Sequence, residues 1–298
     1  MNSIVHYTHC PVCSSSSIHP VLSAKDYTVS GKSFSIWQCD HCSLRFTQDV
    51  PDMNTIGGYY KSENYISHTN TSKGFINHLY QIIRKKTLRQ KRKLVCKITG
   101  RKQGELLDVG SGTGAFVNEM KQNGWQVIGI EPDDDARRIA KEVFGCELKN
   151  ADELFHLPQN FYDAITLWHV LEHVHDLHKY SQQLKELLKQ NGRLLIALPN
   201  YTSLDASVYK EYWAAYDVPR HLYHFSPLAM KHLMEKVGLK MVDYKPMWFD
   251  SFYISLLSSK YKNQKTNWLG AAWNGFRSNM KAVRNKEKCS SLIYIISK

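Results

Sequence analysis

The stretch Glu105-Leu-Leu-Asp108-Val109 running into Gly110-Ser111-Gly112-Thr113-Gly114 constrains this chain more than any other. Leu106, Leu107 and Val109 form a short apolar run suited to a strand buried on both faces. Phe116, Val117 and Met120 then fall on one side of a helix that follows the glycines. Strand, glycine turn and helix in that order open a doubly wound sheet. Glycines there let the backbone turn sharply and approach a ligand closely. The next apolar run, Trp125 to Ile130, reads as a second strand and ends in Glu131-Pro132. An acid about 20 residues past the glycines is placed to accept hydrogen bonds from ribose hydroxyls. A dinucleotide fingerprint would read GxGxxG and cradle a pyrophosphate. This turn reads GxGxG with a carboxylate, Asp108, just before it, and a carboxylate suits a cationic ligand.

The order of elements continues the pattern. Asp133 starts a helix with Ala136, Ile139, Ala140, Val143 and Phe144 on one face, and Cys146 to Lys149 is expected as a third strand. Phe161 to Trp168 and Gly192 to Pro199 read as the fourth and fifth strands, with a helix through Leu177, Leu184 and Leu187 between them. Ser226 is expected to cap a helix from Pro227 to Gly238. Leu239 to Val242 and Leu292 to Ile296 complete the sheet. Leu-Leu-Asp-Val-Gly-Ser-Gly-Thr-Gly resembles motif I of the class I methyltransferases that use S-adenosylmethionine (SAM). The resemblance covers roughly residues 104–238 and the tail more loosely. It implies an α/β fold, a Rossmann-like sheet with helices on both faces, and SAM as cofactor. It also implies SAM contacts at Asp108, Gly110, Ser111, Gly112, Gly114, Glu131 and Pro132, at Asp152 near the adenine, and at Trp168.

Cys10-Pro-Val-Cys13 and Cys39-Asp-His-Cys42 are two CxxC knuckles, each offering two thiolates from one tight turn. Phe34, Ile36 and Trp37 suggest a short strand leading into the second. A segment this small cannot bury enough apolar surface to fold alone, so a structural Zn²⁺ on the four cysteines is expected to supply its stability. A closed four-thiolate site has no open position for catalysis. The expected organisation is a zinc ribbon over 1–60, a basic helical linker over 61–103 suggested by Phe75, Leu79, Ile82 and Ile83, and a methyltransferase domain over 104–298. Residues 251–288 form a helical insertion before the last strand.

Trp168 is followed by His169-Val-Leu-Glu172-His173. On a helical turn these three polar residues would share one face. In the class I methyltransferases this position faces the transferred methyl. Farther on, His221 lies in Asp217-Val-Pro-Arg220-His221-Leu-Tyr223-His224-Phe-Ser. His169, Glu172, His173 and His221 are therefore the candidate catalytic residues. One histidine as general base is the first reading. The second is a divalent metal: Glu172, His173 and His221 are similar to the Glu-x-x-Glu-His plus distant His of metal-dependent O-methyltransferases, including those of the ubiquinone pathway. His169 stands where those families have Glu, which favours Mn²⁺, Fe²⁺ or Zn²⁺ over Mg²⁺. A structural or orienting role is the third. The zinc ribbon and the Pro-Arg-His-Leu-Tyr-His-Phe-Ser segment also resemble bacterial methyltransferases of sugar and natural-product pathways. That resemblance implies an acceptor wall at Tyr212, Trp213, Tyr216, Arg220, Tyr223 and His224.

The net charge of +12 is concentrated in two segments. Between Glu63 and Glu105 there are eleven Lys or Arg and no acid, and after Ser259 there are nine against Glu287 alone. The first segment fits a solvated helix face, RNA phosphates or an anionic membrane surface. In the second, Leu269, Ala272, Trp273, Phe276 and Met280 recur at helical spacing, which fits packing on the core, docking of a second subunit or lying on a membrane; packing is the expected one. No apolar run is long enough to span a bilayer and no leader pattern opens the chain, so a cytoplasmic enzyme is expected. The expected function is methylation of oxygen or carbon on a small molecule, such as a nucleotide-linked sugar or another hydroxylated metabolite. RNA methylation and a non-catalytic SAM- or nucleic-acid-binding module are the alternatives.

Overall fold

The computed structural model describes residues 4–60, 75–265 and 267–298. Their contacts divide the chain into two units. One comprises Met1–Ser67, His169–Tyr180 and Ala197–Tyr294, and the other His68–Trp168, Ser181–Ile196 and Ile295–Lys298.

The N-terminal segment supplies β1 (Ile4–Val5), β2 (Ile18–Lys25), β3 (Ser33–Cys39), β4 (Arg45–Thr47) and β5 (Val50–Pro51). β2 and β3 pair antiparallel, and β3 delivers Cys39 at its end, as the apolar triplet Phe34, Ile36 and Trp37 suggests. A 25-residue helix, α1 (Phe75–Thr99), covers most of the described part of the basic linker. The side chains of Phe75, Leu79, Ile82 and Ile83, and all of residues 61–74, lie outside the described residues.

β6 (Glu105–Val109), α2 (Ala115–Lys121), β7 (Gln126–Ile130), α3 (Asp134–Phe144), β8 (Tyr162–Trp168), α4 (Leu177–Leu187) and β9 (Leu188–Pro199) follow. β6 pairs in parallel with both β7 and β8. Parallel strands buried on both faces need near-continuous apolar runs, and Leu106, Leu107, Ala164, Ile165 and Leu167 are all inaccessible. Asp133 caps α3 by accepting from Ala136 N at 2.7 Å, and Gly145 ends it in a left-handed conformation. The strand expected over Cys146–Lys149 is reduced to one isolated bridge, Ile130 to Lys149. Lys149 reaches the sheet margin, its N–H donating to Gly129 O and its carbonyl accepting from Glu131 N.

The remaining elements are α5 (Leu204–Tyr209), β10 (Tyr223–His224), α6 (Pro227–Lys236), β11 (Lys240–Pro246), α7 (Asp250–Asn263), α8 (Trp268–Arg284) and β12 (Ser291–Ser297). Ser226 caps α6, with Pro227 in its first turn. The strands form a six-stranded sheet ordered β11-β12-β9-β8-β6-β7, a four-stranded sheet ordered β10-β4-β3-β2, and the pair β1-β5. β10 is the informative strand here. It places Tyr223 opposite Phe46 and His224 opposite Arg45, so the late histidine-rich segment completes the sheet of the cysteine segment.

The insertion corrects one expectation. α8 buries Ala271, Gly275, Ser278 and Ala282 and leaves Ala272, Trp273, Phe276 and Met280 exposed; the side chain of Leu269 lies outside the described residues. A Cβ on Gly275 would stand 2.8 Å from the Phe252 ring and 3.1 Å from its Cα, so α7 and α8 approach too closely for large side chains between them. No helix among the described residues is long and apolar enough to cross a membrane.

Candidate functional site

Two constellations carry chemistry, one in each unit. In the first, the glycine turn stands between two buried acids. Gly112 has a left-handed backbone (φ +52), and an added Cβ there would meet nothing within 4 Å, so the turn borders open space. Its N–H donates to Glu131 Oε2 at 2.7 Å, while Asp133 N donates to Oε1 at 3.1 Å. Gly114 (φ +77) packs so tightly that a Cβ would lie 2.8 Å from that of Ala140. Gly110 N donates to Ile130 O, and Ser111 Oγ donates to Asp108 O. Asp108 is 1% exposed and accepts from Thr166 Oγ1 at 2.6 Å. Burial raises its pKa to about 6, against the pull of the Thr166 and Ser111 hydroxyls and of Lys91. Trp168 lies with Phe116 edge-on at 5.6 Å and Lys91 4.2 Å above its ring, its Nε1 buried without a hydrogen-bond partner. Pro132 and Asp152 are exposed beside this turn's strands, Pro132 bonding Arg137 through its carbonyl. Thr166 carries no motif, but the β6/β8 register sets it directly opposite Asp108.

Open space beside Gly112, a desolvated carboxylate and an unpartnered indole N–H fit a polar, cationic ligand. Arg84 Nη2 donates to Thr113 Oγ1 and Arg92 Nε to Glu119 Oε1, so with Lys91 three charges of the basic run are engaged within this unit.

The second constellation begins with the cysteines. Cys10 Sγ lies 3.5 Å from Cys42 Sγ and Cys13 Sγ 3.5 Å from Cys39 Sγ, and all four sulfurs fall within 4.8 Å of one another. The hydrogen bond from Cys42 pulls the Cys10 thiol down to about 5. Four free, converging thiols with one readily ionised fit a tetrahedral zinc site.

From the same unit, Thr47 Oγ1 donates to His221 O at 2.7 Å, and Leu222 N donates to Glu172 O at 2.8 Å. These bonds bring Glu172, His173 and His221 together, their ligand atoms within 4.8 Å of one another. The helical turn expected over His169–His173 is not formed. His169 is left-handed (φ 59), and Leu171–His173 make a single 3₁₀ turn. His169 therefore stands apart from the cluster, clamped between Glu172 Oε1 at 3.3 Å and Asp250 Oδ2 at 3.0 Å. Burial opposes its charge, but the two carboxylates outweigh that and hold its pKa at about 10. Both of its ring nitrogens thus face carboxylates.

His173 is the opposite case. Burial and the neighbouring His221 push its pKa down to about 4. Its Nδ1 lies 3.0 Å from both Arg220 O and Tyr60 Oη, and His221 Nδ1 lies 2.8 Å from Ala215 O. A carbonyl only accepts, so both Nδ1 atoms carry hydrogen, and His173, held neutral, keeps a lone pair on Nε2. Glu172 is 1% exposed; His169 Nδ1 lies 3.3 Å from its Oε1, and its Oε2 has no hydrogen-bond partner among the described residues. A buried carboxylate in that condition is costly. Two imidazole nitrogens and one carboxylate form a donor set suited to a borderline divalent ion. The cluster fits such a metal.

The residues expected to wall the acceptor are mostly buried. Trp213 is buried and donates to Asp205; Tyr216 is buried with its hydroxyl accepting from Arg45; Tyr223 is buried and donates to His175 O. His224 is buried against Thr47, and the Arg220 guanidinium is buried on Asp217 and Tyr59 O. These residues build the core under the cluster because their polar atoms find partners there. Tyr212 is half-buried. Asp250 and Tyr60, which no motif marks, and Asp217 take positions around the histidines.

Residues 80–244, more than half of the chain, match the family described as "Methyltransferase domain". The chain belongs to the methyltransferase domain family. An uncharacterized methyltransferase of Alkaliphilus oremlandii is 34% identical over 103 residues, 34% of this chain and 48% of that one. This methyltransferase-family chain thus spans about half the length of that relative. A demethylmenaquinone methyltransferase of Tropheryma whipplei is 25% identical over 186 residues, 59% and 74% of the two chains. The human mitochondrial ubiquinone biosynthesis O-methyltransferase is 28% identical over 168 residues, 50% and 44%. The solved structure of the Burkholderia thailandensis 1,6-didemethyltoxoflavin-N1-methyltransferase shares the fold with TM-score 0.51 and 12% identity, over 92% of this chain and 99% of that one.

Proposed function

We propose that this chain transfers the methyl group of SAM to a hydroxyl oxygen of a small molecule, and that Glu172, His173 and His221 hold a divalent metal for that acceptor. Cofactor use is supported by the family match together with the glycine turn between Asp108 and Glu131. Asp108 would face the cationic end of SAM and Glu131 its ribose. The observation that carries the acceptor chemistry is the convergence of the buried Glu172 carboxylate, whose Oε2 has no hydrogen-bond partner among the described residues, with the imidazoles of His173 and His221.

In the reaction an oxygen lone pair attacks the methyl carbon as the carbon–sulfur bond breaks. The electron pair goes to sulfur, S-adenosylhomocysteine leaves, and the hydroxyl proton passes to solvent. SAM is already activated, so the protein mainly aligns the reactants, which supplies on the order of 7–11 kcal/mol at best. A metal held by Glu172, His173 and His221 would supply Lewis acidity that lowers the pKa of the acceptor hydroxyl. His173 and His221 would offer Nε2 to such an ion, their Nδ1 atoms being held by the Arg220 and Ala215 carbonyls. Cys10, Cys13, Cys39 and Cys42 hold a structural zinc and support the cluster through Thr47. The name of the human relative, a ubiquinone biosynthesis O-methyltransferase, supports oxygen as the acceptor atom. The RNA alternative loses ground because Arg84, Lys91 and Arg92 are already engaged within their own unit.

Calorimetric titration of Mn²⁺ into zinc-replete, SAM-loaded protein tests the proposal. One saturable site, lost in His173→Ala with SAM affinity retained, is the expected result. No Mn²⁺ binding defeats the metal assignment. Absence of SAM binding defeats the cofactor assignment.

A further inference from the structure

The α7–α8 hairpin is turned inside out relative to an ordinary surface helix. α8 makes its inward contacts with small residues. Ala271, Gly275, Ser278 and Ala282 are buried, and polar bonds anchor them: Ser278 to Asp205, Asn279 to Trp248 O and Asn274 to Tyr209. The large apolar side chains point outward. Trp268 is 68% exposed, Trp273 60%, Phe276 49%, Met280 52% and Val283 69%. At 3.6 residues per turn these five cover an arc of about 140°, and the four buried small residues an arc of about 60°. Arg277, Lys281 and Arg284 fill a third arc beside the apolar one. Trp273 and Phe276 stack at 6.0 Å, continuing the exposed apolar surface along the helix.

An exposed stripe of this size on a chain that otherwise buries its core marks an interaction surface. Charge identifies its partner. From Ser251 to Lys286 there is no Asp or Glu, and there are seven Lys or Arg. A protein partner is normally met with both signs of charge at the rim, whereas this rim has one. Tryptophan and phenylalanine on a helix face with a basic edge match the headgroup zone of a bilayer. There the rings enter the boundary between headgroups and acyl chains, and the long basic side chains reach the phosphates.

We infer that the outward face of α8 is a docking surface for anionic phospholipid, holding the protein peripherally on a membrane. No part of this inference depends on the metal or on the acceptor. The test is flotation of the full chain with vesicles of phosphatidylcholine alone and with added phosphatidylglycerol. The chain is expected to float with the anionic vesicles only, and less as salt is raised. Trp273→Glu with Phe276→Glu is expected to abolish flotation while the far-ultraviolet spectrum and SAM affinity stay unchanged. Arg277→Glu with Lys281→Glu is expected to lower it by about tenfold or more. Failure of the unaltered chain to float with anionic vesicles overturns the inference, as does undiminished flotation of the aromatic double variant. A dimer in sedimentation that the same variant dissolves, with no vesicle binding, assigns the face to a second copy of this chain and likewise overturns the lipid assignment.

Discussion

Asp108 and Glu172 are each 1% exposed, yet their surroundings push them in opposite directions. Asp108 ends a parallel strand, accepts one hydroxyl from Thr166 and has its pKa raised to about 6, chiefly by burial. Glu172 has lost its water as fully, but His169 pairs with its Oε1 at 3.3 Å and His173 and His221 stand beside it, and together they hold its pKa below the usual carboxylate value despite the burial. The strand site is thus a carboxylate made uncomfortable by desolvation, which a cationic ligand would relieve. The 3₁₀-turn site is a carboxylate kept ionised among donors, as a metal ligand must be. Burial alone would not distinguish them; the neighbours do.

The comparison is broken most directly at Glu172. Glu172→Gln keeps the shape but removes the charge. Turnover is expected to fall by about a thousandfold or more, with SAM affinity nearly unchanged. Steady-state rates alongside calorimetry check this, and a parallel loss of SAM binding would mean the two carboxylates serve one ligand. Asp108→Ala is the converse. SAM affinity is expected to drop on the order of 100-fold, since a hydrogen bond to a charged group is worth about 1.5–3 kcal/mol, while Mn²⁺ binding persists. Cys39→Ser probes the cysteine segment behind the second site. It is expected to lower zinc content and to weaken Mn²⁺ binding about 10- to 100-fold, because Thr47 on β4 holds the His221 carbonyl. Metal analysis with and without Mn²⁺ reads both effects, and intact Mn²⁺ affinity in a zinc-free variant would separate the two sites.

The sheet was legible wherever apolar period and glycine punctuation agreed. Leu106 to Gly114 and the Ser226-Pro227 cap of α6 are cases where local chemistry and tertiary context demand the same conformation. Cys146 to Lys149 was not legible, because so short a stretch is decided by how much of the β7 margin it can reach. In the candidate site, the spacing of Glu172 and His173 pointed to a cluster, but the left-handed turn at His169 has no sequence marker. A side chain's partner across 81 residues, such as Asp250 on His169, is likewise invisible to spacing. The aromatics after Lys210 are hard to assign from sequence for a general reason. Tyr and Trp serve cores as readily as pockets, and only the partners of their polar atoms, here Asp205, Arg45 and His175, tell the two uses apart. The α8 pattern showed its period correctly, but period cannot say which side faces in. Gly275 and Ser278, small enough for close helix packing, carried that information.

The smallest effect sharpens the contrast in the ligand-free protein. An Asp whose folded pKa is about 6 against about 3.8 unfolded disfavours folding once the unfolded chain ionises. Below about pH 4 both states are protonated and there is no penalty. Between about pH 4 and 6 the unfolded chain gives up the proton first and the penalty grows. Above about pH 6 it is constant. Asp108→Asn removes the ionisation and keeps an acceptor for Thr166. It is expected to stabilise the ligand-free chain at pH 7–8 by about 1–2 kcal/mol, part of what a two-unit displacement is worth, and to have no effect near pH 4. Glu172 is displaced the other way, so Glu172→Gln is expected to destabilise at neutral pH and to lose that effect on acidification. Denaturant melts of both variants across this range read the two slopes. Opposite signs are the expected result, and equal signs would show that burial, rather than each carboxylate's neighbours, governs both sites.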